Sequence, residues 1–190
     1  MGKGILVIVS GLSGAGKGTI CKRLLEKYPE FELSISVTSR DPRPGEEHGR
    51  EYFFVTTEEF EEKIRKGQLL EHARYVDRYY GTPKDWVEER LEKGKNVILE
   101  IELQGAFQVK DKIPGTILVF VMPPSMEELE RRLRGRGTET EEQIQRRLAR
   151  AIEEMEYVDR YDYVIINEEV EKSVDMLYDI VHREKEKAGE

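Results

Sequence analysis

The chain has a single cysteine, Cys21, among its 190 residues. It has no intrachain partner, so the fold is not a disulfide scaffold. No apolar run approaches the roughly 20 residues that a membrane span needs. The N-terminal apolar run leads straight into a glycine-rich turn, which does not fit a signal peptide, and a cytoplasmic protein is expected. An excess of basic residues is also missing: 31 Lys and Arg face 39 Asp and Glu, for a formal net charge of −8. That balance argues against general nucleic-acid binding, so any anion site has to rest on locally concentrated arginines. Internal repeats and low-complexity tracts are lacking as well, apart from a charged C-terminal end expected to fray. Charged residues make up 37% of the chain and hydrophobic ones 38%, but the apolar residues are clustered and periodic, which excludes a disordered chain. The length suits one α/β domain with small insertions.

What is present is concentrated near the start. Ile5 to Val9 is an apolar, β-branched run without alternation and reads as a strand buried on both faces. Ser10 follows, then Gly11-Leu12-Ser13-Gly14-Ala15-Gly16-Lys17-Gly18-Thr19. The glycines let successive N–H groups converge on one concavity at the positive end of a helix, and Lys17 adds a mobile cation. This is a polyphosphate cradle close to the pattern G-x-x-x-x-G-K-[ST]. It departs at one position. Gly18 stands where a Ser or Thr would coordinate Mg²⁺, and the hydroxyl comes one residue later on Thr19, about 100° around the helix.

Further along, helical spacing carries Ile20 to Tyr28, and residues 31 to 37 alternate as one strand. A Pro- and Gly-rich loop then bears Arg40 and Arg43. Thr56 and Glu59 form a capping box ahead of a helix that Gly67 closes. A strand is expected over residues 69 to 76, then a turn at 79 to 83 leading into a helix, with Thr82 and Asp85 as a second capping pair. Apolar strands recur at 96 to 101, ending in Glu100 and Ile101, at 116 to 121 and at 163 to 167, with helices between them. Arg131, Arg132, Arg134 and Arg136 fall within six residues beside two glycines, before a long helix with Arg146, Arg147 and Arg150 flanking its apolar stripe. Alternating strands and helices predict a parallel sheet flanked by helices, with ligands at the carboxyl ends of the strands. Residues 1–36, 88–130 and 151–190 are assigned to that core, 37–87 to an inserted mixed α/β subdomain and 131–150 to a helical lid.

A phosphate loop, an insertion with its own arginines and an Arg-Gly segment between helices resemble the nucleoside monophosphate kinases. The stretches Ser36 to Glu46, Tyr79 to Thr82, Glu100 to Gly105 and Arg134 to Thr140 are similar to the guanylate kinase family over nearly the whole chain. The resemblance implies a P-loop α/β fold and transfer of the ATP γ-phosphoryl group to GMP, with Mg²⁺ as the accompanying ion and protein partners unknown. It implies that Arg40, Arg43, Tyr52 and Tyr80 hold the GMP phosphate, through guanidinium forks and phenolic donors. Glu71 would accept from guanine N1–H and the 2-amino group, and Ser36 and Thr82 would donate to O6. Glu102 matches a family Asp near the guanine amino group, and Glu100 a carboxylate that orients Mg²⁺ through water. Lys17, Arg136 and Arg147 would act on the transferring phosphoryl group, and Asn167 would lie near the adenine. No metal ligand set is assigned, and acceptance of dGMP is left open. A non-catalytic binding module of the same family would be expected to have a degraded phosphate loop, whereas Lys17, Arg136 and Arg147 are all present.

Overall fold

A computed structural model describes residues 2–75, 77–135, 137 and 139–189. Its centre is β1 (Leu6–Gly11), whose Leu6, Val7, Ile8 and Val9 are fully buried. The sequence explains this position, because only a strand covered on both faces can be apolar at successive residues. β1 lies between β7 (Asn96–Glu100) and β8 (Ile117–Met122), with β2 (Phe31–Leu33) and β9 (Tyr163–Ile166) at the edges. All pairings in this five-stranded sheet are parallel. Helices α1 (Lys17–Lys27) and α7 (Val170–Gly189) pack against each other along the sheet. Helices α3 (Lys84–Glu92) and α4 (Leu103–Lys112) cover the other side, as right-handed crossovers in opposite directions require. Helix α7 continues to Gly189.

The expected strand over 31 to 37 is divided. Phe31–Leu33 pairs with β7 in the core, whereas β3 (Val37–Thr38) pairs with β6 in a second sheet. Ser34, Ile35 and Ser36 carry the chain from one sheet to the other, which simple alternation cannot reveal. The second sheet has the order β4-β3-β6-β5, with β4 Phe53–Phe54, β5 Leu69–Tyr75 and β6 Arg78–Pro83. Residues 79 to 83, expected as a turn, are strand. The β-branched and aromatic Tyr79, Tyr80 and Thr82 all pair with β5, and Tyr80 and Gly81 pair with β3 as well. This sheet has its own small core of Val37, Phe60 and Leu69, with Phe60 stacked on Tyr79. Phe60 comes from α2 (Thr57–Arg65), whose capping box forms as read from Thr56 and Glu59. Two side chains of α4 tie this sheet to the core. Lys112 Nζ donates to the Leu69 and Leu70 carbonyls, and Gln108 pairs with both backbone groups of His72.

Helix α5 (Met126–Gly135) starts at Ser125, whose hydroxyl accepts from Glu128 N–H at 3.1 Å. Helix α6 (Glu141–Met155) starts with a second full capping box, Thr140 with Gln143. Arg136, one of the expected phosphoryl-binding arginines, lies outside the described residues.

Candidate active site

The cleft opens at the carboxyl end of β1. Gly11 has φ 135°, and a Cβ on it would sit 2.0 Å from the Val121 carbonyl oxygen, so only glycine lets the loop leave β1 so close to β8. Gly16 is the N-cap of α1 in the left-handed region, φ 96°. Between them, Leu12 N–H donates to Val121 and Ala15 N–H to Leu12, so those two expected cradle residues spend their amides inside the protein. Among the described residues, the N–H groups of Ser13, Gly14 and Gly16 donate to no backbone carbonyl. With the first amides of α1 at Lys17 and Gly18, they are the donors left for an anion. Lys17 Nζ donates to the Gly11 and Leu12 carbonyls at 2.7 and 3.1 Å, folded back over its own loop. Burial holds its pKa below the ordinary lysine value, partly offset by Glu100.

Glu100 ends β7 and faces the start of α1. A Cβ on Gly18 would lie 3.6 Å from Glu100 Oε1. Water reaches the carboxylate through the cleft, but the surrounding protein pushes its pKa up, against the pull of Lys17. Thr19 is exposed. No group of three His, Cys, Asp or Glu residues that could hold a metal is found among the described residues. One carboxylate beside a polyphosphate cradle nevertheless suits Mg²⁺, which keeps several waters and takes its other ligands from phosphates.

The large cleft, ≈ 830 Å³, is lined by Lys17, Glu100 and Glu102 on the core side and by Arg146, Arg147 and Arg150 of α6. Arg147 Nη2 is paired with Glu139 at 2.9 Å, while its Nη1 is buried without a partner among the described residues. Arg150 bridges Glu102 at 2.7 Å and Glu154 at 2.9 Å. Burial raises the pKa of Glu154, and Arg150 opposes that rise.

A second cavity of ≈ 300 Å³ adjoins the cleft and shares Glu100 and Glu102 with it. Ser36, Tyr52, Glu71 and Tyr80 line it. Glu71 on β5 lies opposite Thr82 on β6, and Thr82 Oγ1 donates to Glu71 Oε1 at 2.7 Å. The Thr82 hydroxyl is therefore not a helix cap; the N-cap of α3 is Pro83, without a side-chain bond. Glu71 is 6% exposed, and burial pushes its pKa up. At the rim, the Arg40 guanidinium stacks over the Tyr52 ring at 5.3 Å, and Tyr52 meets Tyr80 edge to face. Arg40 is held by Glu46 at 2.9 Å, and Arg43 on the same loop is exposed. Asn167 is spoken for: its Nδ2 donates to the Ala15 carbonyl and its Oδ1 accepts from Ser173 Oγ, both at 2.8 Å. Its side chain braces the phosphate loop against α7.

Two neighbours of the site, Arg132 and Gly105, had no role of their own in the sequence reading. Arg132 Nη2 donates to the Asn167 carbonyl at 2.9 Å, and Nη1 reaches the Ala15 carbonyl at 3.4 Å, so α5 is tied to the loop. Gly105, in the first turn of α4, makes room for the Glu71 carboxylate: a Cβ there would lie 2.8 Å from Glu71 Oε2. Its signal was a glycine inside a helix, where glycine costs about 1 kcal/mol relative to alanine.

A phosphate cradle and a smaller cavity with a buried carboxylate that meet at two further carboxylates under a row of arginines define the nucleoside monophosphate kinase class. The sequence profile described as guanylate kinase matches residues 3–184. The chain belongs to the guanylate kinase family. It is 50% identical over 183 residues to the guanylate kinase of Caldanaerobacter subterraneus subsp. tengcongensis, covering 96% of this chain and 89% of that one. It is 52% identical over 187 residues to that of Clostridioides difficile, covering 98% and 91%. The crystal structure of guanylate kinase from Anaplasma phagocytophilum matches with a TM-score of 0.75 at 35% identity, over 96% of this chain and 87% of that one.

Proposed function

We infer that the chain catalyses ATP + GMP ⇌ ADP + GDP, with the residue roles that follow. The observation that carries this reading is the junction of the two cavities at Glu100 and Glu102, with Lys17 on one side and the Glu71–Thr82 pair on the other. ATP phosphates take the free amides of Ser13, Gly14, Gly16, Lys17 and Gly18, and Lys17 turns from its own carbonyls to their oxygens. GMP enters the smaller cavity. Glu71 accepts from guanine N1–H and the 2-amino group, with Ser36 toward O6 and the Thr82 hydroxyl turning from Glu71 to O6 as the base enters. Adenine has no N1–H and carries an amino group at position 6, so this donor and acceptor set rejects it, by about 10⁴-fold or more where a site is built to hydrogen-bond its substrate. Arg40, Arg43, Tyr52 and Tyr80 hold the GMP phosphate.

A GMP phosphate oxygen attacks the γ-phosphorus. The new O–P bond forms as the bond to the β,γ-bridging oxygen breaks, and the pair of electrons leaves with ADP. No general base is needed, because the attacking oxygen is already deprotonated. Catalysis is then positioning and charge stabilisation, and Arg147 with Arg136 neutralises the transferring group. Bound Mg²⁺ would neutralise β- and γ-oxygens, and Glu100 is the residue that would hold it through water. The reading places the enzyme in the cytoplasm.

The test is ADP release with ATP and Mg²⁺ when GMP, AMP, CMP and UMP are offered separately. Turnover with GMP alone is expected. Turnover mainly with another nucleotide would discard the roles of Ser36, Glu71 and Thr82 while keeping the kinase.

A further inference from the structure

Glu102 stands on the border between the two cavities. It is the N-cap of α4 but makes no side-chain capping bond, and its side chain is 74% exposed. A glutamate with that freedom reads a ligand poorly, because ordering it on binding costs rotamer entropy. One contact restrains it. Arg150 Nη2 donates to Glu102 Oε2 at 2.7 Å, while Arg150 Nε donates to Glu154 Oε1 at 2.9 Å. Glu154 is only 12% exposed and lies one turn along the same helix, so it anchors the guanidinium at its other edge. The planar fork thus fixes one oxygen of Glu102 from α6. Among the described residues, Glu102 Oε1 has no partner.

We propose that Arg150 is a positioning residue for guanine recognition, holding Glu102 so that its second oxygen accepts from the 2-amino group of GMP. This rests on the reading that the smaller cavity takes GMP. Arg150 lines the larger cleft, but in this proposal it acts through Glu102. Because it belongs to α6, the carboxylate is set only while α6 lies against the start of α4, so guanine reading is tied to the helix that carries Arg147.

The competing role for Arg150 is simple charge balance among Glu100, Glu102 and Glu154. GMP and IMP separate the two. They share the phosphate, ribose, N1–H and O6 and differ only in the 2-amino group, so lost charge cancels in their ratio.

The experiment is calorimetric binding of GMP and of IMP, without ATP, to the wild type, Arg150→Met, Glu102→Gln and the double variant. Arg150→Met keeps the apolar stem and removes the fork. The GMP-over-IMP preference is expected to fall roughly tenfold, the size of one charge-assisted hydrogen bond. In the Glu102→Gln background, Arg150→Met should change the ratio no further. Should Arg150→Met not fold by circular dichroism, Arg150→Gln repeats the comparison. Equal weakening of both nucleotides would overturn the proposal in favour of charge balance. An unchanged ratio would reduce the pair to an idle surface contact. A wild type that binds GMP over IMP with this dependence but transfers no phosphate sinks the phosphotransfer reading alone. A wild type that transfers to GMP but shows no GMP-over-IMP preference sinks this proposal alone.

Discussion

Lys17 rests on two carbonyls of its own loop, where burial disfavours its charge. A phosphate is a far better partner than a carbonyl, so the ammonium is poised to move by a rotamer change alone. Lys17→Ala is expected to lower turnover by about 10³-fold while GMP affinity, measured without ATP, stays within about twofold of wild type. Equal loss of both would remove the division of labour between the cavities. Glu71 behaves in the opposite sense. Its folded pKa is raised by burial, so the stability it contributes is fully present below its ordinary value of 4.5 and lost as pH rises through the raised value. Glu71→Gln should therefore flatten the fall in Tm above about pH 4.5 and leave the empty protein at least as stable at neutral pH. GMP should bind at least about tenfold more weakly, from the loss of a charged acceptor. A variant that melts much earlier and binds GMP normally would contradict both halves. The glycine that admits this carboxylate offers a third test. Gly105→Ala should favour the helix by about 1 kcal/mol but displace Glu71, so GMP binding should weaken while ATP-analogue binding holds. Gly105 closes the Glu100 to Gly105 stretch that resembles the family, but nothing near it in the sequence explains a glycine there. Its reason sits 34 residues away, in a strand of the other sheet.

Among the elements, those with local causes were legible in advance. The apolar run of β1, the glycine loop and the Thr56 capping box each depend on residues a few positions apart. What escaped depends on pairing across the chain. Residues 31 to 37 alternate as one strand, yet which sheet each half joins is decided by β7 on one side and β6 on the other. Tyr79 to Pro83 looked like a turn because of Gly81 and Pro83, but Gly81 is there because a Cβ would lie 2.8 Å from the Glu71 carbonyl oxygen. The site shows the same division. The phosphate loop was readable as a motif, whereas the side chain of Asn167 turned out to brace that loop, a role set by a contact across 152 residues. Two equivalent capping boxes give a test at this scale. Thr56→Ala on α2 and Thr140→Ala on α6 should each cost about 1 kcal/mol, or about 2–4 °C in Tm for a chain of this size. Their kinetic effects should part: the first should raise KM for GMP alone, whereas the second should raise KM for ATP through Arg147 and KM for GMP through the Arg150–Glu102 contact. Matching KM changes in both variants would count against the assignment of α6 to the ATP phosphates.

At the level of the whole molecule, empty binding sites are a standing cost. Glu71, Glu100 and Glu154 are carboxyls pushed up by burial, and Lys17 is an amine pushed down. Ligands that satisfy these groups should stabilise the fold well beyond what a surface site would. By mass action alone, GMP at 100 times its Kd adds about 2.7 kcal/mol, so Tm should rise by about 5–10 °C, and ADP with GMP together should exceed either one. A Tm unmoved by saturating GMP would place its binding elsewhere or nowhere. The two sheets differ greatly in what holds them. The five-stranded sheet sits in a continuous core, whereas the four-stranded one has, among the described residues, a separate cluster of only Val37, Phe60 and Leu69 and joins the main core through Leu70 and through Lys112 and Gln108 of α4. Such a division sets an order of failure. Backbone amides of the smaller sheet should exchange with deuterium through openings that leave the larger sheet intact. Under mild heat the molecule should then pass through a form that still grips ATP but has lost its acceptor, a half-enzyme whose inactivation GMP could prevent and ATP could not.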